Sequence, residues 1–269
     1  MKSNYRYIVK AFMAMAVIAG TTSCDDFLDR EPMSSISPET YYSTAAQLEA
    51  NLNDEYPNVL PSFGQWTYGI FGEDKGTDNQ IEVNANDRYT QDRWKVPHSE
   101  SDNWKFERIY RINFFLSEAL PKFGEDMSGS QNTISGSVAT IKHYIGEMYF
   151  LRAYEYFKKL QLFGDFPIIN QPLADEMEAL REASKRFPRN EVARFIISDL
   201  DKAYAYMSDV DMATTRINKD VAMLVKSRVA LFEATWLQNF KGTAFVPGGE
   251  GWPGASLHNN YQYPSGNID

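Results

Sequence analysis

The sequence contains a single cysteine, Cys24, so the chain cannot form a disulfide within itself. Its three histidines, His98, His143 and His258, lie far apart and give no recognisable zinc-ligand spacing. Beyond residue 24, no apolar run approaches the roughly 20 residues that a transmembrane helix needs. A phosphate-cradling glycine loop, a nucleophile elbow and a histidine-based triad are also missing. A disulfide scaffold, a metal site and the commonest kinds of enzyme are therefore not indicated.

Positive charge is scarce as well. The 269 residues include 27 Lys and Arg against 36 Asp and Glu, which gives a formal net charge of −9. A surface of this sign repels phosphate backbones, so nucleic acid is not an expected partner. Apolar residues make up 43% of the chain and aromatic residues 14%, and these values predict a folded protein with many rings available for packing or recognition.

The first 24 residues indicate export. Lys2, Arg6 and Lys10 are followed by a short apolar stretch, residues 11–20, and by the small residues 21–23. This is the layout of a secretory signal, and the apolar stretch is too short to span a bilayer. Cys24 comes directly after the small residues, so the segment resembles a bacterial lipoprotein signal in which that cysteine is acylated. Thr21 is a departure, because such signals more often carry leucine there, and the alternative is a signal cut near residue 23 with an incidental thiol.

Helical periodicity dominates the rest of the chain. It predicts helices over 44–57, 103–122, 137–162, 189–207 and 218–239. We expect the capping box Thr44-x-x-Gln47 to begin the first helix, and Pro57 and Pro61 to end it. The pair Ser101-Asp102 is expected to cap the second helix. Evidence for strands is thin, so the pattern predicts a mainly α-helical fold of stacked hairpins.

One stretch of the sequence resembles a known family. Residues 146–157, Gly-Glu-Met-Tyr-Phe-Leu-Arg-Ala-Tyr-Glu-Tyr-Phe, run into Leu-Phe-Gly-Asp-Phe-Pro at 162–167, which is similar to a hallmark of the RagB/SusD family. Four other segments agree with the family in order and position: Trp104-x5-Tyr110-x2-Asn113, Arg189-Asn-Glu-Val192 with Asp199-Leu200, residues 218–231, and residues 21–32 around Cys24.

The resemblance implies an all-α (mainly) fold of tetratricopeptide-like helical hairpins with long aromatic-bearing loops. It also implies a surface-exposed, lipid-anchored protein of the cell outer membrane in Bacteroidetes-type bacteria. Such a protein captures oligosaccharide or polysaccharide and hands it to a SusC-like TonB-dependent outer-membrane barrel, without catalysis and without a cofactor. Family members are considerably longer, so we expect the C-terminal part of the family fold to be absent. The chain then divides into a lipoprotein signal at 1–23, a tether at 24–43, and an incomplete SusD-like N-terminal helical domain at 44–269.

The region 58–100 is the predicted glycan-binding site. Sugar rings stack their C–H faces on aromatic side chains, and their hydroxyls pair with planar groups of Asp, Asn and Arg. The family places ligand-binding loops in a comparable stretch. The candidate glycan-binding residues are Trp66, Tyr68, Asp78, Arg88, Tyr89 and Trp94. The alternative is that these aromatic rings are buried and pack against the helices beneath the loop.

Two other functions stay open. The chain could be a helical scaffold that docks to the transporter without binding sugar, which an exposed apolar helix face would favour. A glycoside hydrolase would need two carboxylates across a cleft, for which Glu73 with Asp74 or Asp78 could serve, although such pairs arise by chance in an acidic chain.

Within the hallmark helix, Glu147 and Arg152 are five residues apart and are poor partners for each other, so we expect them to be buried anchors between hairpins.

Overall fold

The computed structural model describes residues 41–61, 103–124, 126–208 and 215–266, together with Gln80 and Met212. These residues form six α-helices and one short 3-10 helix: α1 (Ala45–Val59), α2 (Glu107–Phe123), α3 (Val138–Phe163), α4 (Met177–Ala183), α5 (Arg189–Tyr206), α6 (Lys219–Asn239) and the 3-10 helix Pro253–Ser256. Within the described ranges the extended pairings are two isolated bridges, Thr44 with Ser135 and Phe166 with Phe187. The predicted helical fold is therefore confirmed.

The first helix begins as the sequence predicts. The Thr44 hydroxyl accepts a hydrogen bond from the Gln47 backbone N–H, and the Gln47 side chain accepts one from the Thr44 N–H. Pro57 does not end the helix, because it lies in the last turn and the helix continues to Val59. Leu60 is the C-cap, and its extended backbone is the conformation favoured before a proline, here Pro61.

The second helix begins later than predicted. Its first residue is Glu107 and its N-cap is Phe106, which makes no side-chain cap, so Ser101-Asp102 does not cap it. Trp104 precedes the helix and packs edge-on against Phe163 and Phe166 with ring centroids 4.9 Å apart. The Trp104 ring thus covers the end of α3, and α2 begins only after this contact.

Helix α3 is the centre of the fold. It packs against α1, α2, α5 and α6 and is buried on nearly all sides. Its neighbours α2 and α5 run antiparallel to it: Asn113 pairs with Arg152, Arg152 with Asp199, and Tyr156 packs on Phe195. A helix that carries apolar residues on most of its faces is enclosed in this way, and its buried charged residues need partners from the neighbouring helices. No described helix has the length and apolar character needed to cross a membrane.

Helix α6 is enclosed on one side. It runs antiparallel to α5, with Glu233 facing Arg189 and Lys226 facing Asp201. Ala222, Val229 and Leu237 are buried in this contact. The exposed side carries large apolar side chains among polar ones such as Ser227 and Arg228, and we call these apolar residues the α6 outer face: Val221, Met223, Leu224 and Leu231. The apolar periodicity of the sequence did not show which apolar residues of α6 are buried and which are exposed.

Candidate functional site

The residues predicted to bind glycan lie outside the described part of the structure. They are Trp66, Tyr68, Asp78, Arg88, Tyr89 and Trp94, and Cys24 also lies outside it. The loop site and the acylated cysteine therefore remain predictions. The described residues contain a different concave site, which is built around the Gly-Asp-Phe-Pro turn of the hallmark stretch.

Arg152 anchors the helix that leads into this turn. Its Nε and Nη2 donate to the two carboxylate oxygens of Asp199 at 2.6 and 2.8 Å, and Nη1 donates to Asn113 Oδ1 at 2.9 Å. The guanidinium lies between the rings of Tyr149 and Phe195, 5.2 and 5.3 Å from their centroids. A bidentate pair of this kind satisfies a charge that water cannot reach.

The same cluster holds the chain beyond the turn. Asn113 Nδ2 donates to the Ile169 carbonyl at 2.9 Å, and Nη1 of Arg152 donates to the Asn170 carbonyl at 3.2 Å. The hydroxyl of Tyr156 donates to Ile169 O at 3.0 Å and accepts from Ile169 N–H at 2.8 Å. Residues 169–170 are thereby fixed to α2 and α3, and the turn before them is held in one position.

Glu147 forms a second buried anchor. It accepts from Arg216 Nε and Nη2, both at 2.8 Å, and from the Tyr56 hydroxyl at 2.6 Å. Burial, together with the Glu147 charge, raises the pKa of Tyr56. Ser208 N–H donates to His143 Nδ1, so the ring carries its proton on Nε2, which lies 3.0 Å from Ile217 O and 2.9 Å from Glu147 Oε1. As predicted, Glu147 and Arg152 serve different partners.

Asp165 joins three segments of the chain at the turn. Its Oδ1 accepts the backbone N–H of Arg189, the first residue of α5, at 2.9 Å. Its Oδ2 accepts the indole N–H of Trp252 at 2.7 Å. Burial raises the pKa of the Asp165 carboxyl, although these hydrogen bonds and the nearby arginines oppose the shift. The turn, the start of α5 and the C-terminal segment 240–266 therefore meet at one carboxylate.

A cleft of about 480 Å³ opens beside Asp165. Its walls come from the end of α3, the turn, the start of α5, the end of α6 and the segment 244–257. We call this the turn cleft, and the lining residues used below are Gly164, Asp165, Arg186, Arg189, Trp236, Phe245 and Trp252.

Aromatic rings form much of the turn cleft. Phe245 is 62% exposed and packs edge-on against Phe240. Trp236 carries the Arg189 guanidinium over its ring at 4.1 Å, and its indole N–H donates to the Phe245 carbonyl at 3.1 Å. Trp252 is buried and stacks on His258. The cleft thus offers one freely exposed ring, Phe245, beside two rings that the fold holds in place.

Two arginines supply hydrogen-bond donors to the turn cleft. Arg189 uses Nε and Nη2 in a bidentate pair with Glu233, with distances of 2.9 to 3.2 Å, and its side chain is buried. Arg186 is exposed, and its guanidinium lies 4.6 Å from the centroid of the Trp104 ring.

Within the described residues, no group of three or more His, Cys, Asp or Glu is arranged to hold a metal ion.

Sequence reasoning did not assign this cleft. It singled out the Gly164–Pro167 turn and the Arg189 motif as family hallmarks, and it assigned no role to the residues after 239. The available signal was the presence of Trp236, Phe245 and Trp252 close together in the last part of the sequence. These three residues meet at the turn because of how α6 packs on α5, and the sequence pattern does not predict that packing.

The fold defines a class of protein built from antiparallel helical hairpins around a buried central helix. The chain belongs to the SusD-like family: the family model, described as starch-binding associating with outer membrane, matches residues 26–231. The match includes the hallmark stretch, the turn and the first part of α6, so the resemblance predicted from the sequence is confirmed.

The chain is also similar to individual proteins. SusD-like protein P2 of Formosa agariphila is 25% identical over 253 residues, which are 90% of this chain and 46% of that protein. SusD-like protein P25 of the same organism is 25% identical over 233 residues, which are 80% of this chain and 41% of that protein. The chain spans less than half the length of these curated relatives. A crystal structure of a SusD-like protein from Bacteroides fragilis is similar with a TM-score of 0.48 and 18% identity, covering 79% of this chain and 39% of that one.

Proposed function

We propose that this chain is a cell-surface glycan-binding lipoprotein that hands oligosaccharide to a SusC-like TonB-dependent outer-membrane transporter. The observation that carries the proposal is the turn cleft, where the exposed Phe245 ring and the guanidinium donors of Arg186 and Arg189 face one space. The family description of starch binding at the outer membrane points the same way. The signal segment and Cys24 supply the lipid anchor in this proposal.

The chemistry of the cleft suits binding to a saccharide. A pyranose presents a flat C–H face that stacks on an aromatic ring such as Phe245, and its oxygens accept hydrogen bonds from a planar guanidinium. Because the Arg189 side chain is fixed by Glu233 and by the Trp236 ring, its donors are positioned before a ligand arrives. Preorganised groups of this kind lose little entropy when a ligand binds.

The cleft does not suit hydrolysis. Cleavage of a glycoside requires two carboxyl groups on opposite sides of the bond, separated by roughly 5 to 10 Å. Among the residues that line the turn cleft, Asp165 is the one carboxylate, and both of its oxygens are engaged by Trp252 and the Arg189 backbone. The geometry therefore supports capture of the sugar and no bond cleavage at this site.

The test is a binding screen with the mature chain purified without its lipid. We expect one class of soluble polysaccharide to retard the protein in affinity gels. Phe245→Ala should weaken that binding by about tenfold, because it removes an exposed stacking surface. Tyr204→Ala is the matched control, since this exposed ring on α5 does not line the cleft.

The outcomes separate the two candidate sites. Loss of binding on Trp66→Ala or Trp94→Ala, with Phe245→Ala unaffected, would assign the glycan to the loop 58–100 instead of the turn cleft. A folded protein that no glycan in the panel retards would contradict the proposed function.

One observation favours a second function, a helical scaffold that docks to the transporter. The α6 outer face exposes Leu224 and Leu231 by 71% and 66%, together with Val221 and Met223. Two such exposed leucines on one side of a helix are a candidate contact surface for protein. This surface is separate from the turn cleft, so glycan capture and docking are compatible in one molecule.

A further inference from the structure

The turn cleft contains more free donors than free acceptors. Its carboxylate, Asp165, already accepts from Trp252 and from the Arg189 backbone. The indole N–H of each cleft tryptophan is also engaged, by Asp165 for Trp252 and by the Phe245 carbonyl for Trp236. The side-chain groups still available to a ligand are therefore guanidinium N–H groups, which donate and cannot accept, and the exposed carboxamide of Gln161, which can do both.

Arg189 directs one such group at the cleft. Glu233 occupies Nε and Nη2, and among the described residues no hydrogen bond involves Nη1. Nη1 lies 3.5 Å from the position that a Cβ on Gly164 would occupy, and Gly164 is itself part of the cleft wall. The glycine adopts a left-handed φ of +67° at the end of α3, and its missing side chain leaves this nitrogen open to a ligand.

Arg186 provides the second group at the same cleft. Its guanidinium lies on the Trp104 ring and, within the described residues, forms neither an ion pair nor a hydrogen bond. A guanidinium that rests on an aromatic face keeps its edge free for a planar anion. The backbone carbonyl of Arg186 lies 2.8 Å from His258 Nε2, which fixes the chain at this position.

Arg186 is the cation at the cleft that forms no ion pair among the described residues, whereas Arg189 is paired with Glu233. An anionic group of a ligand would therefore meet an unpaired guanidinium at this place on a chain of formal net charge −9.

We infer that the turn cleft selects acidic glycans, in which a uronate carboxylate or a sulfate ester lies against Arg186 and Arg189 Nη1 while the sugar ring stacks on Phe245. The inference rests on the proposed function and specifies its substrate class. Carboxylate and sulfate share the chemistry of a planar or tetrahedral oxyanion that takes two hydrogen bonds from a guanidinium.

The test compares polysaccharides that differ only in their acid groups. Binding of polygalacturonate and of its methyl ester is measured by calorimetry at a fixed ionic strength, and dextran sulfate is compared with dextran in the same way. We expect at least one acidic polymer to bind the mature chain about tenfold more tightly than its neutral match. Arg186→Gln should weaken binding of the acidic polymer more than binding of its neutral match, and so remove that preference.

The control is Arg228→Gln, which removes the same charge from an exposed position on α6 that does not line the cleft. It should leave the preference intact, and an equal loss in both variants would show that the polymers respond only to net charge and would overturn the inference. Equal binding of acidic and neutral polymers would also overturn it. If neither pair binds while another neutral glycan retards the protein in the screen, the inference fails and the proposed function stands. If no glycan binds, both fail.

Discussion

Arg152 illustrates how single residues hold this fold together. The side chain is fully enclosed, so its charge is stable only because Asp199 accepts two hydrogen bonds and Asn113 a third. The same guanidinium also reaches the Asn170 carbonyl beyond the turn. One residue therefore connects α2, α3, α5 and the segment that follows the turn.

Asp199→Asn is expected to destabilise the protein by about 3 to 5 kcal/mol, because it leaves the buried Arg152 charge without its anion. The measurement is the free energy of unfolding from urea melts. The control is Asp201→Asn, two residues further along α5, where an exposed carboxylate pairs with Lys226 and the expected change is below about 1 kcal/mol. Similar losses in the two variants would show that the Arg152 pair has no special role.

At the scale of helices, the contact between α3 and α5 is unusually close at one point. A Cβ added to Gly146 would lie 2.8 Å from the Met207 backbone nitrogen and 2.9 Å from the Ala203 carbonyl oxygen. Backbone atoms cannot move aside as a flexible side chain can. The glycine in the hallmark stretch therefore allows the end of α5 to lie directly on the central helix.

Gly146→Ala is expected to destabilise the protein by about 1 to 3 kcal/mol, because the new methyl group must push α5 away. Helix propensity alone predicts the opposite, a gain of about 1 kcal/mol. Ala139→Gly, in the partly exposed first turn of the same helix, measures that propensity separately. A Gly146→Ala protein that melts at higher urea than the natural one would contradict the close contact.

Much of this arrangement could be predicted from the sequence. Helices α1, α3, α5 and α6 lie within two residues of their predicted bounds, since each has a strong apolar period and a polar or glycine end. Helix α2 was placed four residues too early because Ser101-Asp102 offers a capping pair, whereas Trp104 packs on Phe163 and Phe166 outside the helix. Helix α4 was missed because none of its seven residues is buried, so no apolar stripe marks it.

The turn cleft could not be predicted for a related reason. Periodicity shows which residues are apolar, but Trp236 and Trp252 come together only through the packing of α6 on α5 and the path of the segment 240–266. The donors on Arg189 depend in the same way on Glu233, which is 44 residues further along the chain. The sequence instead predicts a site of aromatic and charged groups in the loop 58–100, whose candidate residues lie outside the described part of the structure.

At the scale of the whole molecule, one feature of the described residues is the exposed α6 outer face. We expect the mature chain to self-associate as its concentration rises, because Leu224 and Leu231 are exposed on one side of α6. Sedimentation velocity over a concentration series measures this. The double variant Leu224→Lys, Leu231→Lys should sediment as a monomer at all concentrations with an unchanged urea midpoint, since neither side chain is buried.

The matched control for this prediction is Met177→Lys. Met177 is 75% exposed on α4 and does not belong to the α6 outer face, so its replacement should leave self-association unchanged. Monomeric behaviour of the natural chain at every concentration would contradict the prediction. Retention of glycan binding in the double variant would separate the α6 outer face from the turn cleft.

The position of Asp165 has a consequence for how a ligand would be held. One wall of the turn cleft belongs to the helices and another to the segment 240–266, and the Asp165 carboxylate connects the two through Arg189 and Trp252. A sugar that touches both walls binds only the form in which the segment 240–266 packs on the helices. Binding of the sugar and packing of the segment are then thermodynamically linked, so ligand at one hundred times its Kd would stabilise the packed segment by about 2.7 kcal/mol. The bound glycan would itself hold the C-terminal segment against the helices.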